Sequence, residues 1–94
     1  MIKSIRHKGL KKFFNSGGKD TQGINTDHEY KLRDQLAALD SATDIADMGL
    51  PGWRLHPLKG KDKARHAIWV SGSWRMTFEF ENGDAYVVDY EDYH

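Results

Sequence analysis

The apolar positions of this chain change their period halfway along. Leu10, Phe13 and Phe14 fall at i, i+3, i+4 within residues 7–15, the spacing of one helix face. Asn15-Ser16-Gly17-Gly18 ends that segment, and Ile2, Ser4 and Ile5 before it read as a short first strand. Residues 18–25 read as a loop. Leu32, Leu36 and Leu39 then repeat at i, i+4, i+7 and give one apolar stripe through about Asp40. Thr26 is expected to cap this helix with Glu29 reaching back, as in a capping box. Thr43 is expected to cap a short helical turn through Met48, stopped by Gly49 and Pro51.

After Gly52 the period becomes 2. Trp53-Arg54-Leu55-His56 alternates as a strand does, and residues 66–70, 74–80 and 85–90 read as three more strands. Ser71-Gly72-Ser73 and Asn82-Gly83 are tight turns, and Asn-Gly is a strong hairpin signal. A two-residue turn there would pair Glu79 with Tyr86, Thr77 with Val88 and Arg75 with Tyr90. Trp74, Met76, Phe78, Phe80 and Val87 are then expected on the core face, with Arg75, Thr77, Tyr86, Val88 and Tyr90 opposite. Continued alternation would add Asp92 and His94 to the face of Arg75 and set Glu91 and Tyr93 against them. Helices followed by an antiparallel meander make an α+β fold, with the helices packed on the sheet.

Composition narrows the class. The 94 residues suggest one domain, 1–94. There is no Cys, so disulfides, thiolate metal sites and cysteine nucleophiles are excluded. No apolar stretch approaches the ~20 residues of a membrane span, and the basic start MIKSIRHKGLKKFF lacks the apolar run of a signal peptide. A cytoplasmic protein without a membrane partner is expected.

Net charge is zero, from 14 basic and 14 acidic residues, but the charges are sorted. Residues 1–13 hold Lys3, Arg6, Lys8, Lys11 and Lys12 without an acid. Residues 54–65 hold Arg54, Lys59, Lys61, Lys63 and Arg65 against Asp62 alone, and the stretch from Lys59 to Arg65 reads as an exposed basic loop. Such sorting suits a polyanion on one face despite the neutral sum.

The chemistry-bearing stretches are Arg54-Leu55-His56-Pro57-Leu58-Lys59 and the terminal Tyr90-Glu91-Asp92-Tyr93-His94. Singly, a strand-end His and a terminal His are more often solvated surface groups. Together, His56, Asp92, Tyr93, His94, Arg75 and Lys59 are the set that RNA cleavage without a metal or cofactor requires. One group takes the ribose 2′-OH proton, another protonates the leaving 5′-oxygen, and a cation stabilises the phosphate. Aromatic rings can hold a base by stacking.

The chain resembles the HigB toxins of the RelE-like family. The resemblance rests on MIK and HKGLKKFF at the start, LHPLKG at 55–60, WR-x-TF at 74–78, NGDAY at 82–86 and the terminal EDYH. It implies a RelE-like fold with helices on a small antiparallel sheet. It implies a toxin of a toxin–antitoxin pair that cuts mRNA in the ribosomal A site. It also implies a HigA-like helix-turn-helix antitoxin as partner, with operator DNA reached only through that antitoxin. By motif, the active-site residues are His56, Asp92, Tyr93 and His94, and the RNA-contacting residues are Lys59 and Arg75. Ser73 stands where close relatives often carry Asn. Arg54, Lys61, Lys63, Arg65, Lys8, Lys11 and Lys12 complete the expected grip on mRNA and ribosomal RNA.

Two other readings of the same residues stand beside this one. The first is a basic-faced domain of the same fold that binds RNA or protein without chemistry. The second is a metal-dependent nuclease built on Glu91, Asp92, His94 and His56. Alternation disfavours the second, because it points Glu91 away from Asp92.

Overall fold

The computed structural model describes residues 1–59 and 64–93. Two helices and two 3₁₀ turns precede four strands: α1 (Lys8–Asn15), Thr26–His28, α2 (Glu29–Ser41), Ile45–Met48, β1 (His56–Pro57), β2 (Arg65–Ser71), β3 (Trp74–Glu81) and β4 (Asp84–Asp92). The strands form one antiparallel sheet in the order β1-β2-β3-β4. The expected α+β architecture, compatible with a RelE-like fold, is what the chain adopts.

Local chemistry sets the helix ends. His7 caps α1, its Nδ1 accepting the Leu10 N–H at 3.0 Å. Gly17 and Gly18 close it at φ +69° and +84°, where the Gly18 N–H returns to the Phe13 carbonyl at 2.7 Å. A Cβ on Gly18 would lie 2.5 Å from Arg33 Nε, so glycine serves twice there. The α2 segment begins one residue earlier than Thr26 predicts. Asn25 caps the 3₁₀ turn through the Asp27 N–H at 2.9 Å, and Glu29 instead meets Arg33 at 3.5 Å. Asp44 rather than Thr43 caps the second turn, in a box closed by Asp47. Backbone N–H groups of Thr43 and Asp44 hold the Asp47 carboxyl below the ordinary carboxylate range.

Leu10 and Phe13 of α1 and Leu32, Leu36 and Leu39 of α2 are buried against Ile68, Val70, Met76, Phe78, Val88 and Tyr90 of the sheet. Each large apolar side chain so buried contributes roughly 1.5–3 kcal/mol. The helix layer thus covers one sheet face. The N-terminal segment is not a full strand. It meets β4 through two parallel bridges, Ile2↔Ala85 and Ile5↔Val88, and covers that sheet edge.

Two features depart from the expected strands. Trp53–His56 is not continuous, because Arg54 takes φ +52° and leaves a strand of two residues. The last hairpin turns at Asn82 and Gly83, both at positive φ, and starts in the expected register with Glu79 opposite Tyr86. Val87 then enters the left-handed region at φ +49°, and the register shifts between Thr77 and Glu79. Beyond this bulge Thr77 faces Asp89, Met76 faces Tyr90, Arg75 faces Glu91 and Trp74 faces Asp92. One extra residue exchanges the faces of everything after it. Val88 and Tyr90, expected outside, lie in the core at 0% and 3% exposure, whereas Val87 does not.

Candidate active site

The sheet face away from the helices carries several of the candidate residues. Directly paired residues share a face, so the pairing defines its rows. One row runs His56, Ala67, Thr77, Asp89, and a second runs Trp69, Arg75, Glu91. A third is Arg65, Glu79, Tyr86.

A buried polar network ties these rows together. Arg65 Nη2 donates to Thr77 Oγ1 at 2.7 Å, and Thr77 Oγ1 donates to Glu91 Oε2 at 2.5 Å. Arg65 Nη1 stands 3.6 Å from Glu79 and has no hydrogen bond of its own. Arg65 was expected as an exposed loop cation. It is instead 5% exposed, because it begins β2 and lies over Thr77 and Glu79. Arg6 meets Asp89 at 3.5 Å from the N-terminal segment. The face is therefore of mixed charge rather than uniformly cationic.

The end of β4 gathers four of the predicted residues. Ser73 Oγ donates to the Asp92 carboxylate, and the Tyr93 N–H bonds the Ser73 carbonyl at 2.7 Å. Arg75 lies 5.9 Å from the centre of the Tyr93 ring. Its Nη1 donates to the Gly72 and Trp74 carbonyls at 2.9 and 3.0 Å. Those carbonyls hold the guanidinium, which forms no ion pair among the described residues. The bulge corrects one expectation here. Glu91, not Asp92, shares the face of Arg75, and Asp92 lies on the side of Trp74.

His56 sits on the same open face but at the far edge. Two strands separate it from β4, roughly 14–15 Å at the usual spacing of 4.7–4.9 Å. Its Nδ1 meets the Arg54 carbonyl at 2.8 Å. A carbonyl only accepts, so Nδ1 carries a proton, and Nε2 is the nitrogen that can give up or take one. His66, across β1 and β2 from it, has its pKa pushed down by burial and then by the charge of His56. Arg54 lies 4.6 Å from the Trp69 ring centre, and Lys31 lies 4.4 Å from the same ring.

The other predicted cations scatter. Lys59 is exposed beyond β1. Lys8, Lys11 and Lys12 are exposed on α1, in the layer across the sheet from the open face. A shallow cavity of about 220 Å³ also lies in that layer, between Phe13, Phe14, Leu36 and Ala37, away from these groups. Lys61, Lys63 and His94 lie outside the described residues. Among the described residues no three His, Asp or Glu side chains converge as metal ligands.

Thr77 and Glu79 carry no functional expectation in the sequence, and Glu91 carries one only as a metal ligand in the disfavoured nuclease reading. The alternation of Arg75, Thr77 and Glu79 against Met76, Phe78 and Phe80 does mark the first two. Glu91 is misplaced without the bulge, and a β-branched residue such as Val87 gives no signal for positive φ.

A second buried group was also missed. His28, 4% exposed, meets Tyr90 Oη through Nδ1 at 2.5 Å. Trp74 stacks on Tyr90 with ring centres 4.5 Å apart. Burial lowers the His28 pKa, opposed by the charges of Asp27 and Asp92. Burial raises that of Tyr90, with Asp92 adding to the rise.

A family model described as the RelE-like toxin of type II toxin-antitoxin system HigB matches residues 3–94. The Endoribonuclease HigB of Proteus vulgaris is 46% identical over 94 residues, covering 100% of both chains. With a family match over nearly its whole length and helices packed on one face of an antiparallel sheet, the chain belongs to the HigB-like toxins of type II toxin–antitoxin systems.

Proposed function

We propose that this toxin is an endoribonuclease that cuts mRNA in the ribosomal A site by general acid–base chemistry without a metal, and so stops translation in the cytoplasm. One observation carries the chemistry. Arg75 is held by two carbonyls beside the Tyr93 ring, on the face where His56 lies, and Asp92 is tied to Ser73 at the same strand end. A phosphate above Arg75 would have a fixed cation, a ring for the adjoining base, and proton carriers on two sides.

In the reaction the 2′-oxygen attacks phosphorus, the O2′–P bond forms and the P–O5′ bond breaks. The products are a 2′,3′-cyclic phosphate and a 5′-hydroxyl. His56 and His94 are the residues assigned to the two proton transfers, worth typically ~10²–10⁴-fold. Asp92 orients the chain end, and Tyr93 stacks on or orients a nucleotide, since a phenol of pKa near 10 is a poor base at pH 7. Lys59 joins Arg75 on the phosphate. Lys61, Lys63, Lys8, Lys11, Lys12 and Arg54 meet RNA phosphates more distantly. Arg65 acts through Thr77 and Glu91. A HigA-like antitoxin holds the toxin inactive.

The test is single-turnover cleavage of mRNA on programmed ribosomes. His56→Ala, Asp92→Asn and His94→Ala should each lose cleavage, and a chelator should leave it intact once ribosomal magnesium is controlled. Free RNA should be cut weakly, since zero net charge gives little general RNA affinity. Translation arrest that survives His94→Ala together with His56→Ala would instead favour a non-catalytic RNA- or protein-binding module of the same fold.

A further inference from the structure

Strand ends fray unless something ties them down, and the proposed site lies on the last residues of β4. Past Tyr90, the ties include the pairing to Trp74 and Arg75, the Thr77–Glu91 and Ser73–Asp92 hydrogen bonds and the Tyr93 N–H to Ser73. Tyr90 is the last core residue before them, and it is clamped from several elements. Trp74 stacks on its ring, and His7 and His28 meet it edge-on at 5.3 and 5.9 Å. Its hydroxyl is held as well. The Asn25 N–H donates to Oη at 3.4 Å, and Oη and His28 Nδ1 share a hydrogen bond at 2.5 Å.

The polar pair is not needed for packing. A phenylalanine and an aliphatic residue would bury as much apolar area without desolvating an imidazole and a phenol. A buried hydrogen bond between groups 62 residues apart in sequence instead fixes one depth and one orientation of the ring. That restriction is passed to the two residues that follow on the strand. The 3₁₀ turn holding His28 is itself fixed by the Asn25 cap and the start of α2.

We propose that His28, through its hydrogen bond to Tyr90, is a positioning residue for the cleavage reaction, holding the end of β4 so that Asp92 and Tyr93 stay beside Ser73 and Arg75. The inference rests on the endoribonuclease reading above. It assigns His28 no contact with RNA.

Tyr90→Phe removes one oxygen and keeps the stacked ring, so it should fold. His28→Leu removes the partner, and His28→Asn offers an amide near the lost Nδ1. Single-turnover cleavage on ribosomes is expected to fall about tenfold in maximal rate for Tyr90→Phe and His28→Leu, with the half-saturating ribosome concentration unchanged. His28→Asn should recover most of the rate. Amide hydrogen exchange supplies a readout that needs no activity. The Tyr93 amide should exchange at least about tenfold faster in Tyr90→Phe, while the Ile68 and Met76 amides stay protected. Wild-type maximal rate and unchanged Tyr93 protection in Tyr90→Phe overturn the proposal, as does a loss that disappears once rates are scaled to folded protein. If Asp92→Asn cleaves normally, the assignment of the site fails first and this inference fails with it. If Asp92→Asn is dead while Tyr90→Phe is unimpaired, only this inference fails.

Discussion

Replacing Thr77 by valine tests the network beneath the open face. The substitution keeps shape and removes one hydroxyl that accepts from Arg65 and donates to Glu91. Thr77 is 0% exposed and Arg65 5%, so water cannot restore the lost acceptor. Arg65 has little else to turn to, because Nη1 already lacks a hydrogen bond and Glu79 lies 3.6 Å away. A hydrogen bond to a charged group is worth about 1.5–3 kcal/mol. The bond to half-exposed Glu91 adds about 1 kcal/mol or less, because water can replace the lost donor. Burying a methyl in place of a hydroxyl returns about 1 kcal/mol. The net loss is roughly 0.5–3 kcal/mol, which for a domain of this size lowers Tm by about 2–24 °C. Urea unfolding should show the same loss as a lower midpoint at constant slope. The sharper control is Arg65→Met with Thr77→Val. Replacing both buried partners by apolar groups is often nearly neutral, so the double variant should stand within about 1 kcal/mol of the parent. A Thr77→Val loss under about 0.5 kcal/mol, or a double variant that simply sums the two singles, would refute the reasoning.

Three other outcomes are expected. Burial lowers the pKa of both His28 and His66, so below about pH 6.5 the unfolded chain binds more protons than the fold. Stability is then complete above that pH and declines as pH falls toward the folded values, by at most about 1.4 kcal/mol per pH unit for each group; equal urea midpoints at pH 7.5 and 5.5 would count against it. Phe13→Ala empties a site that is 1% exposed beneath α1 and should cost about 3–5 kcal/mol in chemical unfolding. Arg75→Ala should slow single-turnover cleavage by about 10²–10³-fold, with Arg75→Lys partly active because charge survives without the planar fork; a fully active Arg75→Ala would remove Arg75 from the phosphate site.

Much of the architecture was legible along the chain. The leucine stripe of α2, the alternation of β3 and the Asn82-Gly83 turn are local signals, and local backbone preference decides them. The capping residues were misassigned by one position, since a 3₁₀ entry and an α entry share the same residue types. The motifs at 55–60 and 91–94 pointed to the family from sequence alone, and the family match bears that out.

What the chain by itself determined is which residues prefer helix or strand, and which side chains have the chemistry for RNA. Which of them share a face was decided by tertiary structure. Val87 takes a backbone state its side chain disfavours, and pairing with β3 and the N-terminal segment holds it there. That single extra residue sends Tyr90 inward to His28 and Glu91 outward to Thr77. No periodicity reports it, because a bulge is a property of two strands together and the sequence lists only one at a time.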